Sequence, residues 1–232
     1  MLKAASFSAL ESLLAATDIS VRPRGEGRTT PETENWSICR LLSTLSFVRR
    51  LEYPIKVDKS ERPDFVMSVN GIQRAGIEVT EVVHQDFAKL QTLPEAQRPD
   101  SILDRSLFRW GEPRRPLEEL REIASRTKLS GPGWEGHSVE EEFAVAMADR
   151  IGRKTSKLAE EEYSRFTEDW LLIYENLMLP SMDLPLAVSY LRLRLPNYFH
   201  RDNFSRVFIE SGHVIVELSQ SSLSTHKLRD LW

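Results

Sequence analysis

The sequence predicts a mixed α/β fold, a layered sheet flanked by helices, and three observations carry that expectation. An apolar stripe with helical spacing runs from Asn35 to Arg50. Short β-rich segments follow between Tyr53 and Val83, two of them joined by Asn70-Gly71. A long amphipathic stretch from about Val139 to Glu162 then leads into the dense apolar run Trp170 to Tyr174. Helical and strand periods alternating in this way describe a sheet covered by helices.

Composition sets the outer bounds. A chain of 232 residues buries a core without needing disulfides or a structural metal. The apolar fraction of 41% and the charged fraction of 28% are those of a folded globular protein. Cys39 is the one cysteine, so no internal disulfide or cysteine cluster for zinc exists, and its apolar surroundings from Trp36 to Val48 point to packing. The first 25 residues carry one lysine before a short apolar stretch interrupted by Glu11, a poor match to a secretory signal, and nothing approaches the roughly 20 apolar residues of a membrane span. The expectation is a soluble cytoplasmic protein. Its net charge of −4 neither announces nor excludes a nucleic-acid partner, because catalytic carboxylates need only a local basic rim.

Taken in order, Phe7 to Ala16 reads as an amphipathic helix and Val21 to Thr33 as a loop. Ile38, Leu41, Leu42, Leu45 and Val48 place the first core helix at Asn35 to Arg50, entered just after Glu32 and Glu34. Strands are expected at Tyr53 to Val57, Asp64 to Val69 and Gln73 to Val83. Asn70-Gly71 predicts a tight hairpin between the last two, since both residues tolerate positive φ. A short helix is expected within His84 to Ala96. Residues Gln97 to Trp134 read as a Pro- and Gly-rich insertion with one helix at Leu117 to Ala124, carrying Arg105, Arg109, Trp110, Arg114 and Arg115. Ser138 and Glu141 have the spacing of a capping box for the long helix, whose stripe is Phe143, Met147, Ile151 and Leu158. After the strand Trp170 to Tyr174 come a helix at Leu184 to Leu193 and a terminal hairpin, Arg206 to Ile209 and Val214 to Leu218. The long helix is expected to join Gln73–Val83 and Trp170–Tyr174 as a parallel β-α-β unit. The whole is expected as one elaborated domain with its core at 34–176, the insertion at 97–134 and the C-terminal helix and hairpin at 184–218.

Chemistry concentrates on two carboxylates. Pro63-Asp64 opens one strand of the hairpin, and Glu78 lies inside the apolar returning strand Ile77-Glu78-Val79-Thr80. A charge within such a strand asks for a partner. Two carboxylates on adjacent strands can share a divalent cation with oxygen preference, Mg²⁺ or Mn²⁺, and so support attack of water on a phosphodiester.

In these residues the sequence resembles the PD-(D/E)XK nuclease superfamily, the restriction-endonuclease-like fold, over roughly Glu34 to Asn176. The resemblance implies metal binding by Asp64, Glu78 and the backbone carbonyl of Val79, with an acid of the first core helix, Glu34 or Glu32, assisting. It implies hydrolysis of DNA, with RNA as an alternative substrate. The family's lysine two positions after the second acid is absent, and Thr80 stands there; a hydroxyl does not replace an ammonium that positions water. Lys154, in the stripe of Ile151 and Leu158, is the expected substitute, ahead of Lys157 and Arg153. Glu81 and Glu175 read as rim residues.

His84 and Gln85 follow the central strand and read as strand-end structure or phosphate contacts, while His137, His200, His213 and His226 show no ligand spacing. Arg109, Trp110, Arg114 and Arg115 are candidate nucleic-acid contacts, combining phosphate-binding and stacking groups. A homodimer would suit cleavage of both strands of a duplex. Thr80 also admits a second reading, a nuclease-like binding module for nucleic acid or protein without catalysis. A small-molecule enzyme is disfavoured by the lack of G-x-G-x-x-G, P-loop and G-x-S-x-G patterns.

Overall fold

A computed structural model describes residues 1–160, 164–200 and 202–232. It is mixed α/β, with six α-helices and one mixed sheet of eight strands in sequential order among the described residues. No helix there is long and apolar enough to cross a membrane.

The first half has the expected helices and strands with shifted boundaries, and one strand, β1, that the sequence does not predict. Strand β1 (Leu2–Ala4) precedes helix α1 (Phe7–Ala15), capped by Ser6, whose hydroxyl accepts the Ala9 N–H at 3.3 Å. Helix α2 spans Thr30–Phe47 and begins five residues before the expected Asn35. Its start signal is Thr29 at the cap, Pro31 in the first turn and Glu32, whose carboxylate accepts the Thr29 N–H at 2.9 Å. Glu32 and Glu34 therefore lie inside the helix, not ahead of it.

Strands β2 (Ile55–Lys59), β3 (Phe65–Val69) and β4 (Ile72–Val82) form an antiparallel meander. Asn70 and Gly71 take φ of 52° and 80°, the left-handed pair that a two-residue hairpin needs. A bulge at Met67/Ser68 shifts the register by one residue, so that Phe65 stands opposite Ile77. That shift brings Asp64, the preceding residue, to Glu78 and Val79.

Strand β5 (Glu168–Glu175) is the neighbour of β4 and pairs in parallel with β6 (Arg206–Ser211). Strands β7 (Val214–Ser219) and β8 (Leu223–Lys227) complete the sheet as antiparallel additions. Leu10, Leu14, Ile38, Leu41, Leu42 and Leu45 of α1 and α2 share one apolar core with Ile55, Val57, Met67, Ile77, Val79, Trp170 and Leu172 of the strands. Cys39 is buried in that core, and burial pushes its thiol up to about 11, as suits a packing residue.

The remaining helices are α3 (Gln85–Leu90), α4 (Leu117–Ala124), α5 (Ser138–Leu158) and α6 (Leu184–Arg194). In α5 the stripe Phe143, Met147, Ile151 and Leu158 is fully buried, as its spacing predicts. The expected capping box is not formed. Ser138 is already helical, and its hydroxyl accepts the Glu135 N–H at 3.0 Å while Glu141 N–H goes to the His137 carbonyl. The expected end of this helix, Glu162, falls in 161–163, outside the described residues.

Two compact units are distinguished: residues 1–81, 153–175 and 197–232 form the first, and 82–152 with 176–196 the second. The second holds the 97–134 segment together with α3, α6 and most of α5, and in it Phe87 and Leu90 of α3 pack with Phe108, Leu120 and Ile123 of the segment. The insertion is held by specific polar bonds. Asp104 accepts the Ser106, Ser130 and Gly131 N–H groups at 3.0, 3.0 and 2.6 Å, tying its ends together.

Candidate active site

Within the first unit, four of the expected residues converge. Asp64 leaves the turn that closes with the Ser60 N–H on its carbonyl, and its Oδ2 accepts the Val79 N–H at 2.7 Å. Glu78 alternates with Ile77 and Val79, which enter the α1/α2 core, so its carboxylate projects from the opposite face of β4. There Lys154 Nζ of α5 meets Glu78 Oε1 at 2.5 Å, with the two side chains 17% and 12% exposed. Glu34 is buried and pairs with Lys59 Nζ at 2.5 Å, and the same Nζ is 3.8 Å from Asp64 Oδ1.

The electrostatics are those of crowded acids. Burial, then the neighbouring charge of Glu78, pushes the Asp64 carboxyl up to about 6; Glu34 adds to the rise, while the Val79 N–H and Lys59 oppose it. A carboxyl raised in this way by neighbouring negative charge stands at a place that a cation would relieve.

The helix acids separate cleanly. Glu34 stands at this cluster, whereas Glu32 caps α2 and pairs with Arg22 at 2.6 Å. Lys154 is half-buried, while Arg153 and Lys157 are exposed. Thr80 is buried.

Gly76 positions Asp64 from below. A Cβ there would stand 2.8 Å from Pro63 Cγ and 2.6 Å from Phe166 Cδ2. Glycine thus lets Pro63, the residue before the acid, lie close on β4. Gly76→Ala is expected to cost about 1–3 kcal/mol in urea unfolding, the usual range for overpacking. An unchanged midpoint would mean that this contact yields freely.

Sequence reasoning missed Lys59. The strand was expected to end at Val57, but β2 continues to Lys59, which pairs across to Phe65 beside Asp64. It also missed that Glu81, expected at a rim, is held by Arg24 and Arg28, at 2.5 and 2.9 Å. Glu175 accepts the Ser211 hydroxyl at 3.2 Å.

The other candidates belong to the second unit and have internal duties. His84 caps α3, accepting the Phe87 N–H at 3.4 Å, and its Nε2 lies 3.2 Å from the Arg109 carbonyl. Burial, aided by Arg105, lowers its pKa and so favours the neutral imidazole. Arg109 stacks over Trp134 at 3.7 Å and donates to the Gly133 carbonyl. Trp110 donates through its amide to Glu142 at 2.8 Å and through Nε1 to Asp149 at 3.1 Å. Arg114 pairs with buried Asp86, and Arg115 with Glu119 and the Leu107 carbonyl. Any nucleic-acid contact by these four would use what they leave exposed, chiefly the Arg114 side chain at 60%.

No protein-family model, curated protein or solved structure matches the chain.

A divalent cation is implied by the family resemblance, and its fit rests on the donor set. Among the described residues, no three His, Cys, Asp or Glu side chains already form a metal-ready group. Asp64 and Glu78 supply hard oxygen donors with mutually unfavourable charge, which suits Mg²⁺ or Mn²⁺. The residues present fit such an ion.

Proposed function

We propose that the first unit is a divalent-metal-dependent nuclease of the PD-(D/E)XK type, with a restriction-endonuclease-like core, hydrolysing phosphodiesters in DNA and, as a lesser expectation, in RNA. The observation that carries the reading is the approach of Lys154 to Glu78. It supplies, from a helix, the cation that Thr80 lacks.

Asp64, Glu78 and the Val79 carbonyl are the proposed holders of Mg²⁺ or Mn²⁺. When bound, the ion would neutralise charge developing on the phosphate and favour deprotonation of the attacking water. Lys154 Nζ, already confined by Glu78, would hold that water or a phosphate oxygen by hydrogen bonding. Glu34, buried and paired with Lys59, would accept a further hydrogen bond from the water side of the site. The Val79 N–H fixes the Asp64 carboxylate so that its other oxygen is the one presented.

The test is cleavage of linear, circular and single-stranded DNA, and of RNA, with Mg²⁺ or Mn²⁺. Asp64→Ala and Glu78→Ala are each expected to reduce the rate by about a thousandfold, the scale for losing the transition-state charge stabilisation that the held ion would supply. Full cleavage by either well-folded variant would falsify the assignment. A folded parent that binds DNA tightly but cleaves none of these substrates would favour the binding-module reading, to which buried Thr80 lends support.

A further inference from the structure

A separate recess of the first unit shares no lining residue with the Glu34, Asp64, Glu78 and Lys154 cluster. Its volume of 680 Å³ is that of a small-molecule site. Trp36 of α2, Tyr174 of β5 and Trp232 near the C-terminal end supply its aromatic lining. Trp36 and Tyr174 meet edge to face with centroids 4.8 Å apart, and the Arg40 guanidinium lies 4.3 Å from the Trp36 centroid. Trp232 is tied in place by its Nε1, which donates to the Thr17 carbonyl at 2.9 Å.

The charge is arranged on the same walls. Arg22, Arg28 and Arg40 line the recess, against the carboxylates of Asp18 and Asp230. On the Arg28 side, two guanidiniums, Arg24 and Arg28, share the one carboxylate of Glu81. Arg22 is answered by Glu32 at 2.6 Å and Arg40 by Glu210 and Asp230 at 2.8 and 3.1 Å, so the unanswered positive charge is confined to the Arg28 corner, where that one carboxylate is shared.

Neither half of that chemistry is met by a simple ligand. An inorganic anion would leave the aromatic walls facing water, and an apolar side chain would desolvate guanidiniums without replacing their hydration. A planar ring carrying a phosphate meets both, by stacking and cation–π contact on one side and charge-assisted hydrogen bonds on the other. We propose that this recess binds a nucleotide, its base on the Trp36, Tyr174 and Trp232 surface and its phosphate at Arg28. The ligand is either a free mononucleotide or one unit of a strand. Binding here needs no metal and no cleavage, so it stands apart from the nuclease reading.

The experiment is isothermal titration calorimetry of the full chain in EDTA, which keeps any metal-dependent hydrolysis silent. Probes are adenosine 5′-monophosphate, adenosine, inorganic phosphate and a hexadeoxyadenylate strand. The monophosphate is expected to bind with Kd of about 0.1 mM, at least tenfold tighter than adenosine or phosphate alone. Arg28→Gln is expected to weaken the monophosphate about tenfold and leave adenosine unchanged, whereas Trp232→Leu weakens both. Should Arg28→Gln not fold, Arg24→Gln, whose parent side chain is 30% exposed and shares Glu81 with Arg28, leaves Glu81 to neutralise Arg28 and removes the same excess charge, with the same expected loss of monophosphate affinity. A strand binding tenfold more tightly than the monophosphate, with the same sensitivities, identifies a strand unit as the ligand; equal affinities identify the free nucleotide. The proposal is overturned if neither the monophosphate nor the strand binds, if phosphate alone binds as well as the monophosphate, or if the variants bind like the parent. Cleavage results on Asp64 and Glu78 variants bear only on the other site, so the two readings fail separately.

Discussion

Lys154→Met is expected to lower metal-dependent cleavage at least a hundredfold while the protein still folds. Two consequences follow from one lost ammonium. Glu78 is 12% exposed and loses a partner at 2.5 Å, which costs stability on the order of 3 kcal/mol in a largely buried pair. The reaction loses the group proposed to hold water or a phosphate oxygen, worth about 2.7–4 kcal/mol, or a factor of 10² to 10³, by comparison with single preorganised donors. Urea unfolding reads the first and single-turnover cleavage at saturating Mg²⁺ reads the second. Lys154→Arg separates them: it restores a cation to Glu78, so stability recovers, but its planar fork places donors differently from a point ammonium and cleavage stays depressed. Cleavage recovering in step with stability, or surviving intact in Lys154→Met, would sink the assignment and leave Lys154 as a structural counter-ion.

That pair was legible in the sequence because two periodicities located it. Glu78 lies at an alternate position of an apolar strand, and Lys154 at helical spacing from Ile151 and Leu158, so each had to face something. Asp64 was legible through Asn70-Gly71, a local turn signal that sets pairing. The bulge that completes its register was not, because it adds one residue without a compositional mark. Boundaries failed where local and tertiary signals compete. Lys59 lies two residues past the last apolar position of its strand and is ordered by pairing with Phe65. Strands β1 and β8 were missed for a related reason: one has three residues, and the other, Leu223–Lys227, is largely polar and half-exposed, so the ladder to β7 specifies it. The insertion's arginines and tryptophan were visible as residue types, but their partners Asp86, Glu142 and Asp149 lie far away in sequence. Composition names such groups, and only the folded chain shows that their hydrogen bonds are spent internally.

Lys59→Met is expected to tighten Mn²⁺ binding about tenfold, the opposite of what loss of a catalytic helper would do to a metal site. Lys59 Nζ stands between Glu34 and Asp64, at 2.5 and 3.8 Å, so its charge competes with any cation drawn to those acids. Charges a few ångströms apart near a protein surface interact by about 1–4 kcal/mol, and a side chain 46% exposed belongs at the low end of that range. Removing about 1.4 kcal/mol of repulsion is a factor of ten in affinity. The same lysine lies over the Phe65 ring at 4.4 Å, and methionine retains most of that apolar contact, so packing changes little. Without metal, the variant is expected to unfold at lower urea than the parent, because three crowded carboxylates lose a counter-charge, and added Mn²⁺ should reverse the loss. Mn²⁺ electron paramagnetic resonance titration and urea melts with and without metal supply both readouts. Binding that weakens on this substitution would show that Lys59 organises the acids for the ion instead of standing in for it, and that Glu34 and Asp64 are presented only while the lysine holds them.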